Sequence, residues 1–349
     1  MPASFVPLAE IVRGGTVESL HLGAVAIVDR DGRLVYSAGD PDFVTFTRSS
    51  LKPFQALPFV AGGGIERYKL TTDETALLCA SHSGEPRHVA AAGSILVKAG
   101  NRATELQCGT HAPGHYEVHG QVPPPPPYSP LAHNCSGKHA GMLAHCAACG
   151  YGKSDYLAMD HPLQREVRVA VATLSGVPEE ALPSGVDGCS APNYAMPLSR
   201  LALAFAQLAS DDVHPVYGRA PRQLADAMIA APGMVSGDGR SDLALTEAGR
   251  RDWVCKIGAE AVQAIGIRSR GWGIAVKVGD GTRRALLPAT VAVLDQAGLL
   301  DADARKRLAP LGRPAIRNYR GIATGETRST VVLDKVDRPL TPVAHPAAE

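Results

Sequence analysis

Strand-like segments sit at the two ends of this chain and helical ones fill its middle, so any common sheet must join the N-terminal end to the C-terminal end. HLGAVAIVD (21–29) and RLVYSAGD (33–40) flank the turn Arg30-Asp31-Gly32, a hairpin signal. Near the other end, DWVCKIG (252–258) and WGIAVKVGD (272–280) read as strands, with TRSTVVLD (327–334) as a further candidate. Between them SLKPFQALPFVAGG starts after a serine, Ser49, able to cap a helix and runs into glycines. Its Pro53 fits a first turn, whereas Pro58 would kink or end the helix. Thr71 and Glu74 have capping-box spacing ahead of TALLCAS. EPRHVAAAGSILVKAG (85–100) and HPLQREVRVAVATLSG (161–176) carry proline near the start and glycine at the stop, and PLSRLALAFAQLAS and PRQLADAMIAA are apolar helices. The fold class expected is α/β (α+β): a sheet formed by the chain ends around a largely helical middle. Residues 1–349 form one domain, either undivided or in two lobes, with the helical lobe at about 50–250. The five prolines at 123–127 read as a stiff extended loop.

Bulk properties narrow the function. With 349 residues, 45% apolar and 20% charged, the chain has the composition of a soluble globular protein. A net charge of +1 leaves no electrostatic footprint for nucleic acid or an acidic membrane. No apolar run has the length of a membrane span, and no basic-then-apolar leader opens the sequence. Seven cysteines, an odd number in a long chain, point to reduced thiols and a cytoplasmic location. Phosphate-loop, dinucleotide, His-Glu-x-x-His and Gly-x-Ser-x-Gly motifs are all missing.

Ser49 and Lys52 have the spacing Ser-x-x-Lys at the start of an apolar helix, where backbone N–H groups favour nearby negative charge. Alone the spacing is common, and a capped helix with a solvated lysine accounts for it. CASHSGEP (79–86) then presents Ser81 and His82 after a helix, and Lys256-Ile257-Gly258 lies on a strand. These three elements have the order found in penicillin-binding proteins and class A β-lactamases. A serine hydroxyl needs a base, and a lysine serves only when burial or a neighbouring cation lowers its pKa. A second cluster, HNCSGKHAG (133–141), packs Cys135, Lys138 and His139 ahead of a helix, and GVDGCSAP (185–192) adds Asp187 and Cys189. The two thiols either share a soft metal such as zinc or are buried structural cysteines. Cys146-x-x-Cys149 lies inside an apolar helix and reads as packing, and Cys79, Cys108 and Cys255 read as core.

Together RSSLKPFQALP (48–58), CASHSGEP (79–86), Cys-Gly-Thr-His (108–111), HNCSGKHAGML (133–143), GVDGCSAPNYAMPL (185–198), KIGAEAV (256–262) and GIAVKVGDG (273–281) resemble the L-asparaginases of the Rhizobium etli type, the class 3 enzymes of the asparaginase II family. The resemblance covers most of the chain. It implies a serine β-lactamase-like fold, a homodimer, and hydrolysis of L-asparagine by two Ser–Lys tandems near a zinc ion. Carried over, Ser49 is the nucleophile with Lys52 as base, and Ser81 with Lys256 forms the second tandem. Zinc falls to Cys135, Lys138 and Cys189, and the substrate's surroundings to Arg48, His139 and Asp187. The chain departs from the family pattern at Ile257 and in the single acid of Gly279-Asp280-Gly281, which keeps Lys277 open as the alternative to Lys256. Other readings are a penicillin-recognising peptidase or β-lactamase, a non-catalytic zinc-binding module, and a thiol hydrolase using Cys135.

Overall fold

Gly32 turns the chain with φ at +78°, and the expected hairpin forms around it, Thr16–Asp29 pairing antiparallel with Arg33–Ala38. A computed structural model describes residues 4–343. They fall into two units: one takes the N-terminal segment through Ser50, Met196–Ala206 and Ala244–Pro342, the other Leu51–Ala195 and Gln207–Leu243.

The first unit is built on a nine-stranded sheet. In space its strands run Ala315–Arg317, Ala323–Ser329, Val6–Arg13, Thr16–Asp29, Trp272–Val278, Val262–Ile267, Trp253–Gly258, with Arg33–Ala38 and Asp334–Pro339 branching from Thr16–Asp29. The two chain ends thus interleave, as the α/β (α+β) reading requires. Three of these strands, Val6–Arg13, Val262–Ile267 and Ala315–Arg317, lie where no strand is expected, and the 327–334 candidate resolves into two, Ala323–Ser329 and Asp334–Pro339.

The two faces of this sheet differ in side-chain size. Val25, Ile27, Cys255, Ile265, Ile274 and Val276 share a core cluster with Ala285, Leu286, Ala289 and Val293 of the helix Arg283–Gln296. Cross-strand register puts Ala26, Ala275, Ala264 and Lys256 in one row on the opposite face, and Ala24, Lys277 and Val262 in the next. This face is small so that a helix can come close: a Cβ on Gly273 would lie 1.8 Å from the Ala202 carbonyl oxygen. The two sheet lysines therefore emerge from a background of alanine and glycine.

The second unit is mainly helical. Lys52–Ala61 packs against Ser136–Cys149, Pro162–Ser175 and Ala220–Ala230, and Thr72–Leu78 against Ser136–Cys149. Its N-terminal end differs from the expectation: Ser49 is not the cap but lies in the 3-10 turn Arg48–Leu51 through which the chain enters the helix, where the Ser50 hydroxyl donates to Thr47 O (2.6 Å) and Leu51 is an N-cap with no side-chain bond. Pro58 does not stop the helix, which continues to Ala61 and closes with Gly62 N–H on Pro58 O. The capping box is present in full, with Glu74 N–H on the Thr71 hydroxyl and Thr71 N–H on the Glu74 carboxylate. Thr71→Ala removes one of these bonds and is expected to lower unfolding stability by about 1 kcal/mol, read as a lower urea midpoint with an unchanged m-value. The antiparallel pair Ser184–Val186 and Pro192–Pro197 completes the picture. Among the described residues no helix is long and apolar enough to cross a membrane.

Candidate active site

Gly137 brings the pieces of the site in the helical unit together. A Cβ there would lie 2.3 Å from Leu77 O, so the helix Ser136–Cys149 rests directly on the helix Thr72–Leu78. The loop that follows Leu78 and the start of the Ser136 helix then meet, and Lys52 reaches both.

Lys52 is 1% exposed. Its Nζ donates to Ala80 O (2.5 Å) and Asn134 O (3.4 Å) and lies 2.9 Å from Ser81 Oγ. The two carbonyls can only accept. An ammonium has three N–H groups for these three oxygens, whereas an uncharged amine would donate to both carbonyls and turn its lone pair to the Ser81 hydroxyl. Beside Lys52, His82 accepts Gly84 N–H at Nδ1 (3.1 Å) and bonds Ser136 Oγ through Nε2 (2.9 Å). Burial, then the charges of His88 and Lys52, hold its pKa well below the ordinary imidazole range, so it is a neutral brace for the loop.

Cys135 caps the Ser136 helix, and Cys189 sits on the turn between Ser184–Val186 and Pro192–Pro197. That turn is tied by Asp187 N–H on Ala191 O and Ser190 N–H on Asp187 O, both 2.9 Å, with Ser190 at φ +67°. Asn193 donates to the Asp187 carboxylate (3.2 Å). Lys138 Nζ donates to Cys189 Sγ at 2.9 Å. A hydrogen bond with Cys189 pulls the Cys135 thiol well below its usual pKa against the effect of burial, aided by the charges of Lys52 and Lys138. Burial pulls the Lys138 amine down, but the Cys189 and Cys135 sulfurs outweigh it and its pKa is raised. His139 is fully buried, its pKa pushed down to about 4 by burial against the raising effect of Cys189; its Nδ1 lies 2.7 Å from the Tyr156 hydroxyl, and its Nε2 faces no nitrogen or oxygen partner among the described residues. Cys108, pushed up to about 12 by burial and then by Cys135 and Cys189, is an inert thiol.

The remaining expected residues lie in the sheet unit. Ser49 is half-buried in the turn Arg48–Leu51. Arg48 adopts φ +51°, and its Nη1 is 3.8 Å from Glu260 Oε1. Lys256 is fully buried and donates to Ile257 O (3.0 Å). Lys277 donates to Glu260 O and Val278 O, both at 2.6 Å, and burial lowers its pKa. Those bonds tie down a turn in which Glu260 and Ala261 both have positive φ.

The structure thus gathers Lys52 with Ser81, and Cys135 with Lys138, Cys189 and His139. The expected tandem of Ser81 with Lys256 stays a proposal; the Lys52 amine is also bonded to Ser81. Sequence reasoning did not single out the carbonyls of Ala80 and Asn134, or Tyr156 and Ser136. Carbonyls leave no signature in a motif, although Asn134 stands inside HNCSGKHAG. Cys146 is buried, as expected of packing, while Cys149 is exposed, 3.8 Å from His145 Nε2.

The sequence profile of the L-asparaginase II family matches residues 9–329. The chain belongs to the L-asparaginase II family. No curated protein matches the sequence. Among solved structures, this L-asparaginase II chain is similar to Mglu in its native form at high salt, at 17% identity and a TM-score of 0.38, over 81% of this chain and 63% of that one. It is similar to Mglu in its glutamate form at 19% identity and a TM-score of 0.37, over 80% and 62%. It is also similar to a Bacteroides dorei protein assigned as a beta-lactamase, at 13% identity and a TM-score of 0.40, over 78% and 93%. The chain spans less than two thirds of the length of those Mglu structures.

Proposed function

We propose that this protein hydrolyses L-asparagine to L-aspartate and ammonia by a serine that Lys52 activates. The observation that carries the reading is the buried Lys52 amine, held by two carbonyls and 2.9 Å from a serine hydroxyl in a chain of this family. In the first form of the mechanism Ser49 attacks the side-chain amide carbon as its proton moves to Lys52. Backbone N–H groups at the start of the Lys52–Ala61 helix receive the developing oxyanion. Lys256, acting through Ser81, returns a proton to the leaving ammonia, and water then cleaves the acyl-enzyme. In the second form, favoured by the Lys52–Ser81 contact, Ser81 is itself the nucleophile.

Two alanine variants separate these forms. Ser49→Ala is expected to lower ammonia release from asparagine by about 10⁴-fold or more, with Ser81→Ala retaining measurable turnover. The reverse ranking selects Ser81. A wild-type chain that releases no ammonia from asparagine would end the reading.

Zinc belongs to the same proposal. Among the described residues no three His, Cys, Asp or Glu side chains form a metal site, and the candidate set of Cys135, Lys138 and Cys189 has two of that kind. The set still fits a soft cation: of two buried sulfurs, Cys135 has a depressed pKa and Cys189 accepts at 2.9 Å from the Lys138 amine, which metal binding would deprotonate. When bound, zinc would anchor the amino and carboxylate ends of the amino acid. His139 and Asp187 hold the two cysteine-bearing segments beside it, and Arg48 contributes a cation for the substrate. A homodimer in the cytoplasm completes the proposal.

A further inference from the structure

Four histidines of the helical unit, His82, His88, His111 and His133, have ring states fixed by backbone donors. The first two rings stack at 4.9 Å between centroids and the last two meet at 4.4 Å. Gly84 N–H donates to His82 Nδ1, Glu85 N–H to His88 Nδ1, Asn134 N–H to His111 Nε2 and Cys135 N–H to His133 Nδ1, all within 3.0–3.1 Å. A ring nitrogen that accepts carries no proton, so each neutral ring must bear its proton on the other nitrogen. Three of those N–H groups have acceptors: His82 Nε2 on Ser136 Oγ, His88 Nε2 on Gly233 O and His111 Nδ1 on Ala112 O. The fourth, His133 Nε2–H, has none among the described residues. The residue is 6% exposed, yet Nε2 is not among the sealed, unpartnered polar atoms, so a ligand can reach it.

Its place in the chain gives this donor meaning. The next residue's carbonyl, Asn134 O, accepts from Lys52 Nζ, and the residue after that is Cys135. His133 is therefore one peptide from the proposed base and two residues from a proposed zinc ligand. We propose that His133 contacts the substrate, its Nε2–H donating to an oxygen of the bound amino acid. The donor is rigid, because Cys135 N–H fixes both its tautomer and its ring plane, and it carries no charge that would bind solvent anions indiscriminately. The oxygens of L-asparagine and of its acyl-enzyme all accept, so a neutral donor in the pocket can pair with any one of them.

The inference rests on the asparaginase reading, and the test separates the two. In His133→Asn the shorter amide oxygen still accepts the N–H two residues on, as asparagine does in turns, but nothing replaces Nε2–H. His133→Gln reaches further and offers an amide N–H. The expected result is a roughly 10- to 100-fold fall in kcat/KM for asparagine in His133→Asn, with an unchanged melting temperature. His133→Gln is expected to recover at least threefold of that loss. Equal kcat/KM in wild type and His133→Asn overturns the role of His133 alone, and so does a loss that His133→Gln does not recover. A wild-type chain with no asparagine turnover overturns the functional reading instead. Should His133→Asn melt early, His133→Gln against wild type decides in the same assay: wild-type melting with a loss smaller than that of Asn supports the contact, and no difference between the two variants refutes it.

Discussion

Lys52→Met lowers ammonia release from asparagine by about 10³- to 10⁴-fold, the range that a positioned general base supplies. Methionine fills much of the volume of the lysine stem, but its thioether is far too weak a base to take a serine proton, whichever serine attacks. The same change strips the interior Ala80 O of its Lys52 donor, while the half-buried Asn134 O keeps the His82 N–H. Leaving a buried carbonyl unsatisfied costs about 1–3 kcal/mol, so Lys52→Met also unfolds at lower urea. A companion variant separates chemistry from packing. Lys52→Arg keeps a cation and its donors, yet a guanidinium stays protonated and cannot act as base. It is expected to be as inactive as Lys52→Met in a steady-state assay; retention of a tenth of wild-type kcat in Lys52→Arg would remove the base role.

Gly273→Ala is the second large effect, and it is structural. The added methyl would stand 1.8 Å from Ala202 O and 2.7 Å from Ala206 N, both backbone atoms that cannot rotate aside. The helix carrying Ala202 must move off the sheet, or the strand Trp272–Val278 must bend. Overpacking of this kind costs about 3 kcal/mol, measured as the shift in urea midpoint multiplied by the m-value. Because the lysine face of the sheet is packed this tightly, turnover is expected to fall along with stability. A variant as stable as wild type would show that the helix has room to retreat.

Much of the architecture was readable because it is encoded locally. Proline at the start and glycine at the stop delimit Pro86–Lys98 and Pro162–Ser175, and Thr71 with Glu74 marks the start of Thr72–Leu78. Two of the three unexpected strands lack the alternation that marks a strand. Val6–Arg13 buries residues in adjacent pairs, so its sequence does not alternate, and proline lies within it. Val262–Ile267 is buried on both faces, so alternation is absent there as well. In the site, the residue types and their loops were legible, but the partner of Lys52 was not. The spacing of Ser49 and Lys52 is a local fact, whereas the amine lies at the end of a flexible stem and bonds to a hydroxyl 29 positions away. The state of His133 was hidden for a similar reason, since it depends on a backbone N–H two residues on.

The interleaved sheet has a consequence for biosynthesis. Ala24 bonds across to the strand containing Lys277, and Ala9 aligns with Ser329. At the usual pace of translation the N-terminal hairpin waits roughly 10–50 s for those partners to emerge. During that interval the segments Leu51–Ala195 and Gln207–Leu243 have already left the ribosome and are free to fold. The hairpin's apolar strands meanwhile hang exposed on the nascent chain, which makes them its foremost ligand for a holding chaperone.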